Sequence, residues 1–225
     1  MLINRPKTYI QILAGKLLGK DRHLEEKIKY TAGSIEIEGL LSKKSDENGV
    51  VITHPHPLYG GNMHNNVVMA IAQAYQKLGY TTLRFNFRGV GGSRGSYSDG
   101  VGEQEDVAAA LAYLADLGIN RVDLAGYSFG AWVNGHLKCS AAGIADMAMI
   151  SPPVAFIDFD SVAAIDCLSL IITGSRDEIA PVEMIRQSYQ EWNAAAHFEV
   201  IEGADHFYGG YENRLEQVLL SHHGS

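Results

Sequence analysis

From residue 49 onward the chain alternates between short apolar runs and longer stretches with helical spacing. Residues 49–53 form a β-branched apolar run, the composition of a strand buried on both faces. Residues 80–87, 121–125, 145–150, 168–173 and 198–201 repeat the pattern. Between them, residues 65–78 carry Val68, Ile71, Ala72, Tyr75 and Leu78 on one helical face and stop at Gly79. Residues 103–117 do the same with Val107, Ala110, Leu111 and Leu114, stopping at Gly118. Residues 131–142, 182–192 and 213–220 complete the set of predicted helices. Strands alternating with helices through short connections predict a mostly parallel central sheet with helices on both faces.

The beginning of the chain departs from this rhythm. Residues 33–42 alternate, with Ile35, Ile37 and Leu40 set against Glu36 and Glu38. That is a half-exposed strand, expected in an antiparallel edge hairpin. Residues 1–32 read as a lead-in in which Ile10, Leu13, Leu17 and Leu18 have the spacing of a short amphipathic helix. Residues 33–225 are then a single α/β domain, with the last five residues left out of the fold reading.

Composition narrows the function class. The net charge of −8 and the lack of a basic cluster argue against nucleic acid or an anionic membrane as partner. No apolar run reaches the length that crosses a bilayer, and the N-terminus lacks a convincing cleavage site. Two cysteines, Cys139 and Cys167, cannot build a disulfide framework. They read as small buried hydrophobes in a reducing, cytoplasmic setting.

The chemistry gathers in loops that follow predicted strands, where an open parallel sheet places its reactive groups. Gly126-Tyr127-Ser128-Phe129-Gly130 lies between a strand and a helix, the setting in which Gly-x-Ser-x-Gly exposes a serine hydroxyl on a strained turn. A serine needs a base, and the base needs an orienting acid. His206 lies in a late loop before the last helix, and Asp177 lies one strand-loop earlier. Glu178, Asp158 and Asp160 stand as alternative acids. Two N–H donors must meet the oxyanion. Phe129 supplies one, and the loop 54–63 supplies the other from Leu58, with Tyr59 and His56 as rivals. Pro55 and Pro57 have no N–H to give. His56, Tyr59, Tyr127 and Phe207 are the candidate pocket residues. The His54, His56 and His64 group has few acids nearby, and no metal is expected there. Gly89-x-Gly91 lacks the third glycine and the Lys-Ser/Thr of a phosphate cradle, so no cofactor is expected. Arg88 is read as a structural residue buried against neighbouring backbone or carboxylates.

Taken together, His54-Pro-His-Pro-Leu-Tyr-Gly-Gly-Asn62, Phe85-Asn-Phe-Arg-Gly-Val-Gly-Gly-Ser93, Gly126-Tyr-Ser-Phe-Gly130, Gly174-Ser-Arg-Asp177 and Gly203-Ala-Asp-His206 resemble the α/β-hydrolases. The likeness is to small bacterial members near the dienelactone hydrolase group. It implies an α/β-hydrolase fold, a Ser128–Asp177–His206 triad and a small-molecule ester as substrate. Dienelactone hydrolases use a cysteine where this chain has Ser128, which favours ordinary carboxylic esters. Residues 151–167 are too few for a large cap domain, so the site is expected to be open or covered by short loops or a second subunit of a homodimer. A peptidase or thioesterase would use the same triad, and a non-catalytic binding protein could use the same fold.

Overall fold

The computed structural model describes residues 25–224. The helical reading of Ile10, Leu13, Leu17 and Leu18 lies outside the described residues. Eight strands form one sheet: β1 (Glu26–Ala32), β2 (Ile35–Ser42), β3 (Asn48–Thr53), β4 (Thr81–Phe85), β5 (Arg121–Tyr127), β6 (Ile144–Ile150), β7 (Leu168–Gly174) and β8 (His197–Ile201). Their order is β1-β2-β4-β3-β5-β6-β7-β8. The pairings β1/β2 and β2/β4 are antiparallel, and the rest are parallel.

The lead-in ends earlier than its sequence suggests. From Glu26 the chain is already in the sheet, paired with β2 through Lys29↔Glu38 and Tyr30↔Ile37. Tyr30 and Ala32 are buried, while Glu26, Lys27 and Lys29 are exposed. An edge strand with one wet face has too little apolar content to stand out from a charged leader.

The helices are α1 (Asn66–Lys77), α2 (Val101–Asp116), α3 (Phe129–Gly135), α4 (Cys139–Ala142), α5 (Val182–Asn193) and α6 (Glu212–His223). The sheet separates two apolar layers. Val51 and Leu124 face Val107, Leu111, Phe129 and Ile185 on one side. Val50, Ile52 and Ala125 face Val67, Ile71, Tyr75, Leu215 and Leu219 on the other. Neighbouring residues of one strand therefore serve opposite cores, which is why β3, β5, β6 and β7 are nearly continuous in apolar residues toward their carboxyl ends.

The expected helix 131–142 is broken in two. At Gly135 an added Cβ would meet Met149 and Val162 side-chain carbons at 3.1 and 3.3 Å, so the backbone runs close to β6. His136 then turns its Nδ1 onto the Trp132 carbonyl at 2.8 Å, and the following Lys138 is extended. The cysteines also differ from expectation. Cys139 at the start of α4 and Cys167 just before β7 are joined in a disulfide, with Cα atoms 5.9 Å apart. The Cys167 carbonyl accepts the Met147 N–H at 2.7 Å, which anchors that side of the bond against β6. Residues 151–167 form short turns with no cap domain, and among the described residues no helix is long and apolar enough to cross a membrane.

Candidate active site

The site stands at the carboxyl ends of β5, β7 and β8. Strand β5 ends at Tyr127 and α3 begins at Phe129, so Ser128 alone makes the turn, at φ 54° and ψ −120°. A non-glycine residue there costs on the order of 1–3 kcal/mol and persists only where its surroundings over-determine it. They do so here. The Ser128 N–H donates to the Ile150 carbonyl at 2.9 Å. A Cβ on Gly126 would lie 2.5 Å from Asn134 Nδ2, and one on Gly130 2.5 Å from Thr53 Oγ1. Only glycine lets the turn close this tightly.

His206 Nε2 lies 3.0 Å from Ser128 Oγ. Its Nδ1 lies 2.9 and 3.0 Å from Asp177 Oδ2 and Oδ1. A carboxylate acceptor at Nδ1 assigns the ring proton there and leaves Nε2 to accept from the serine. Asp177 Oδ1 also accepts the N–H groups of Ile179 at 2.9 Å and Ala180 at 2.7 Å. Burial raises the Asp177 carboxyl, but the hydrogen bond and charge of His206, with help from the Ser151 hydroxyl and the Ala180 N–H, outweigh it and hold the group below the usual carboxylate range. The Tyr127 hydroxyl donates to the His206 carbonyl at 2.7 Å, tying the histidine loop to the end of β5. Ser128, Asp177 and His206 are all buried. Glu178, Asp158 and Asp160 are exposed, and Asp158 instead accepts the Asp160 N–H at 2.7 Å.

Above the serine opens a cleft of about 500 Å³, whose walls include His56, Tyr59, Tyr127, Phe129, Phe156 and Phe207. The His56 ring packs on Phe129 at 4.7 Å between centroids. Tyr59, Phe156 and Phe207 stand exposed at the rim, with Tyr59 and Phe156 edge to face at 5.7 Å.

The Phe129 N–H begins α3 and has no partner within the helix. The Leu58 N–H, expected to face the site, instead donates to His56 Nδ1 at 3.2 Å, and its side chain points to solvent. The Tyr59 N–H donates to the His56 carbonyl at 3.1 Å. The tight turn at residues 57–59 consumes both amides locally, which no residue pattern announces. The His56 N–H makes no hydrogen bond among the described residues.

His54 lies beneath this loop. Its Nδ1 faces the Pro55 carbonyl at 2.7 Å, and its Nε2 accepts the Phe87 N–H at 3.0 Å. Both ring nitrogens are thus committed to backbone, and the His-x-His pair presents no two-histidine ligand set. The glycine-rich loop after β4 is filled from within. Glu38 accepts the Gly92 N–H and the Asn86 amide, each at 2.6 Å, and Arg88 is clamped by Asp106 at 2.8 Å.

Two buried residues beside Asp177 escape a sequence reading. Ser151 and Tyr208 follow β6 and β8, each at positive φ (47° and 54°), with their hydroxyls 2.8 Å apart. They come from separate loops, and nothing in their spacing links them.

No protein-family model matches the chain. An uncharacterised protein of Rickettsia prowazekii is 39% identical over 184 residues, covering 76% of this chain and 77% of the relative. An α/β serine hydrolase homologue from Coxiella burnetii is 33% identical, with a TM-score of 0.80 over 87% of this chain and 96% of the other. An α/β serine hydrolase without a lid from Xanthomonas campestris is 28% identical, with a TM-score of 0.80 over 88% and 93% of the two chains. The sheet order, the absence of a cap among the described residues and these similarities agree: the chain belongs to the α/β-hydrolases, among their small, lid-poor members.

Proposed function

We propose that the chain is a serine esterase that cleaves small carboxylic esters through an acyl-enzyme. The observation that carries this is the unbroken line from Ser128 Oγ through the His206 ring to Asp177, with no gap longer than 3.0 Å. His206 Nε2 takes the serine proton as Oγ attacks the carbonyl carbon, and returns it to the leaving alcohol. Asp177 keeps the ring in the required tautomer and stabilises the imidazolium that forms. In the second half, water replaces the alcohol, gives its proton to Nε2 and releases the acid.

The tetrahedral oxyanion is met by the Phe129 N–H and, in this reading, by the His56 N–H rather than that of Leu58. Each such donor lowers the barrier by about 3–4 kcal/mol. The cleft supports a small substrate with an apolar or aromatic portion, since aromatic side chains dominate its wall and rim. An open cleft without a lid offers a long acyl chain no enclosed path.

A fluorophosphonate probe tests the proposal. Wild-type protein is expected to be labelled at Ser128 and Ser128→Ala to remain unlabelled. Wild-type protein that resists the probe, or a variant labelled equally, would refute the reading. A panel of p-nitrophenyl esters, thioesters and aminoacyl amides then ranks the acyl and leaving groups.

A further inference from the structure

The end of the sheet opposite the triad carries a second cluster of chemistry-bearing side chains. Asp123 and Asp146 stand near the starts of β5 and β6 and are register partners across that parallel pair, so their carboxylates share one face. The last turn of α6 brings His222 and His223 to the same place. One ligand atom from each of Asp146, His222 and His223 lies within 4.8 Å of the others. His223 Nδ1 is 3.8 Å from Asp146 Oδ2. That is too far for a hydrogen bond and close to the gap between two ligands each about 2 Å from one ion. His223 Nε2 meets the Tyr75 hydroxyl at 2.9 Å, and His222 Nε2 meets Ser169 Oγ at 2.9 Å. Partners of this kind orient imidazoles around metal ions.

A separate observation points the same way. Asp123 is wholly buried behind the cluster, and neither of its carboxylate oxygens has a hydrogen-bond partner among the described residues. The Tyr80 hydroxyl is near enough to ease the charge but not in hydrogen-bonding geometry, and Arg121 is exposed and acts only through space. A buried carboxylate beside a second carboxylate, without a partner, is a place short of positive charge.

We propose that Asp146, His222 and His223 bind a divalent transition-metal ion, with water completing the coordination and Asp123 as the buried counter-charge behind it. Two imidazoles and one carboxylate form a donor set that zinc accepts with water in its fourth position. An open cavity of about 400 Å³, bounded by His222, His197, Glu199 and Arg214, reaches the His222 side of the cluster from solvent. The ion pins the end of α6 to the sheet and takes no part in the chemistry at Ser128.

The test is zinc titration of the untagged, chelator-stripped full chain by calorimetry. The expected result is about one equivalent bound, a melting temperature raised by zinc, and an affinity at least about tenfold weaker in His223→Gln and Asp146→Asn. Circular dichroism without zinc checks that the variants are folded. If a variant does not fold, Co²⁺ on wild-type protein decides: ring resonances of His222 and His223 displaced by the paramagnetic ion support the site, and undisplaced ones overturn it. No zinc uptake by wild-type protein, or an affinity that survives in the folded His222→Ala/His223→Ala double variant, also overturns it and leaves His223 and Asp146 as near neighbours without a metal.

Discussion

Gly130 lies against Thr53 so closely that a Cβ at position 130 would sit 2.5 Å from Thr53 Oγ1 and 2.8 Å from the Thr53 carbonyl carbon and oxygen. The helix after the nucleophile turn is thereby pressed onto the end of β3, the strand that leads into the His56 loop. The hydroxyl could rotate away, but the backbone atoms cannot. Gly130→Ala is therefore expected to cost at least about 2–3 kcal/mol of stability and to lower hydrolase activity in the protein that still folds. Gly209→Ala, with nothing within 4 Å of the new methyl, is the matched control and should be near neutral. Urea denaturation of the two variants makes the comparison.

Asp177 serves two masters. Its Oδ1 accepts the Ile179 and Ala180 N–H groups, and both oxygens face His206 Nδ1. Asn at this position can keep an oxygen toward the backbone donors, but it then turns its NH2 toward the imidazole and favours the wrong tautomer. Asp177→Asn is expected to reduce kcat by about 10⁴ with a small change in KM. A stability loss that is modest by comparison would separate the catalytic effect from unfolding.

How much of this was legible follows from what each feature needs. The parallel strands and their helices could be read because β3, β5, β6 and β7 are buried on both faces toward their carboxyl ends and are mostly apolar there, with Asp123 and Asp146 breaking β5 and β6 only near their starts. Strand β1 could not, because Glu26, Lys27 and Lys29 face water and resemble a leader. The loops that bring Ser128, Asp177 and His206 together each follow a strand, and topology alone gathers them. The Leu58 amide bonds the ring of a residue two positions away, a side-chain choice made in three dimensions that no residue pattern announces. The Asp123–Asp146–His222–His223 cluster joins strand starts to a helix end about 100 residues on, with no local pattern to mark it.

His54 makes the fold sensitive to acid. It is fully buried, its Nε2 is occupied by the Phe87 N–H, and burial drives its pKa from 6.5 down to about 4, with the Pro55 carbonyl opposing in part. The native state keeps the ring neutral down to about pH 4, whereas the unfolded chain takes a proton near 6.5. Between those values the unfolded state binds more protons, so stability falls as pH falls, by at most about 3 kcal/mol from this group. Denaturation of His54→Gln across that range should show a shallower slope than wild-type protein, even though the variant starts less stable. Equal slopes would remove His54 as the cause.

The Cys139–Cys167 disulfide spans 28 residues of sequence, including β6 and the turns of residues 151–167. Closing a loop of that length in the unfolded chain is worth about 3.5 kcal/mol in the chain-entropy account. Cys139→Ser/Cys167→Ser is expected to lose about that much in stability under oxidising conditions, and kcat should hold because the bond lies away from Ser128. Mass spectrometry of alkylated protein checks whether the bond forms. A disulfide fits an oxidising compartment better than the reducing one the cysteine count suggested.

His56 offers a way to delete one backbone N–H without moving the chain. Its φ is −54°, within the range proline imposes, and Pro55 and Pro57 already flank it in the sequence. His56→Pro removes both the ring and the N–H, while His56→Ala removes the ring alone. The ring packs on Phe129 and Tyr97 and accepts the Leu58 N–H, so both variants lose those contacts equally. The difference between them isolates the amide. If the His56 N–H meets the oxyanion, His56→Pro should fall below His56→Ala in kcat by about 10²–10³, with similar KM. Equal kcat values in the two variants would transfer the role of second donor to another amide of the loop.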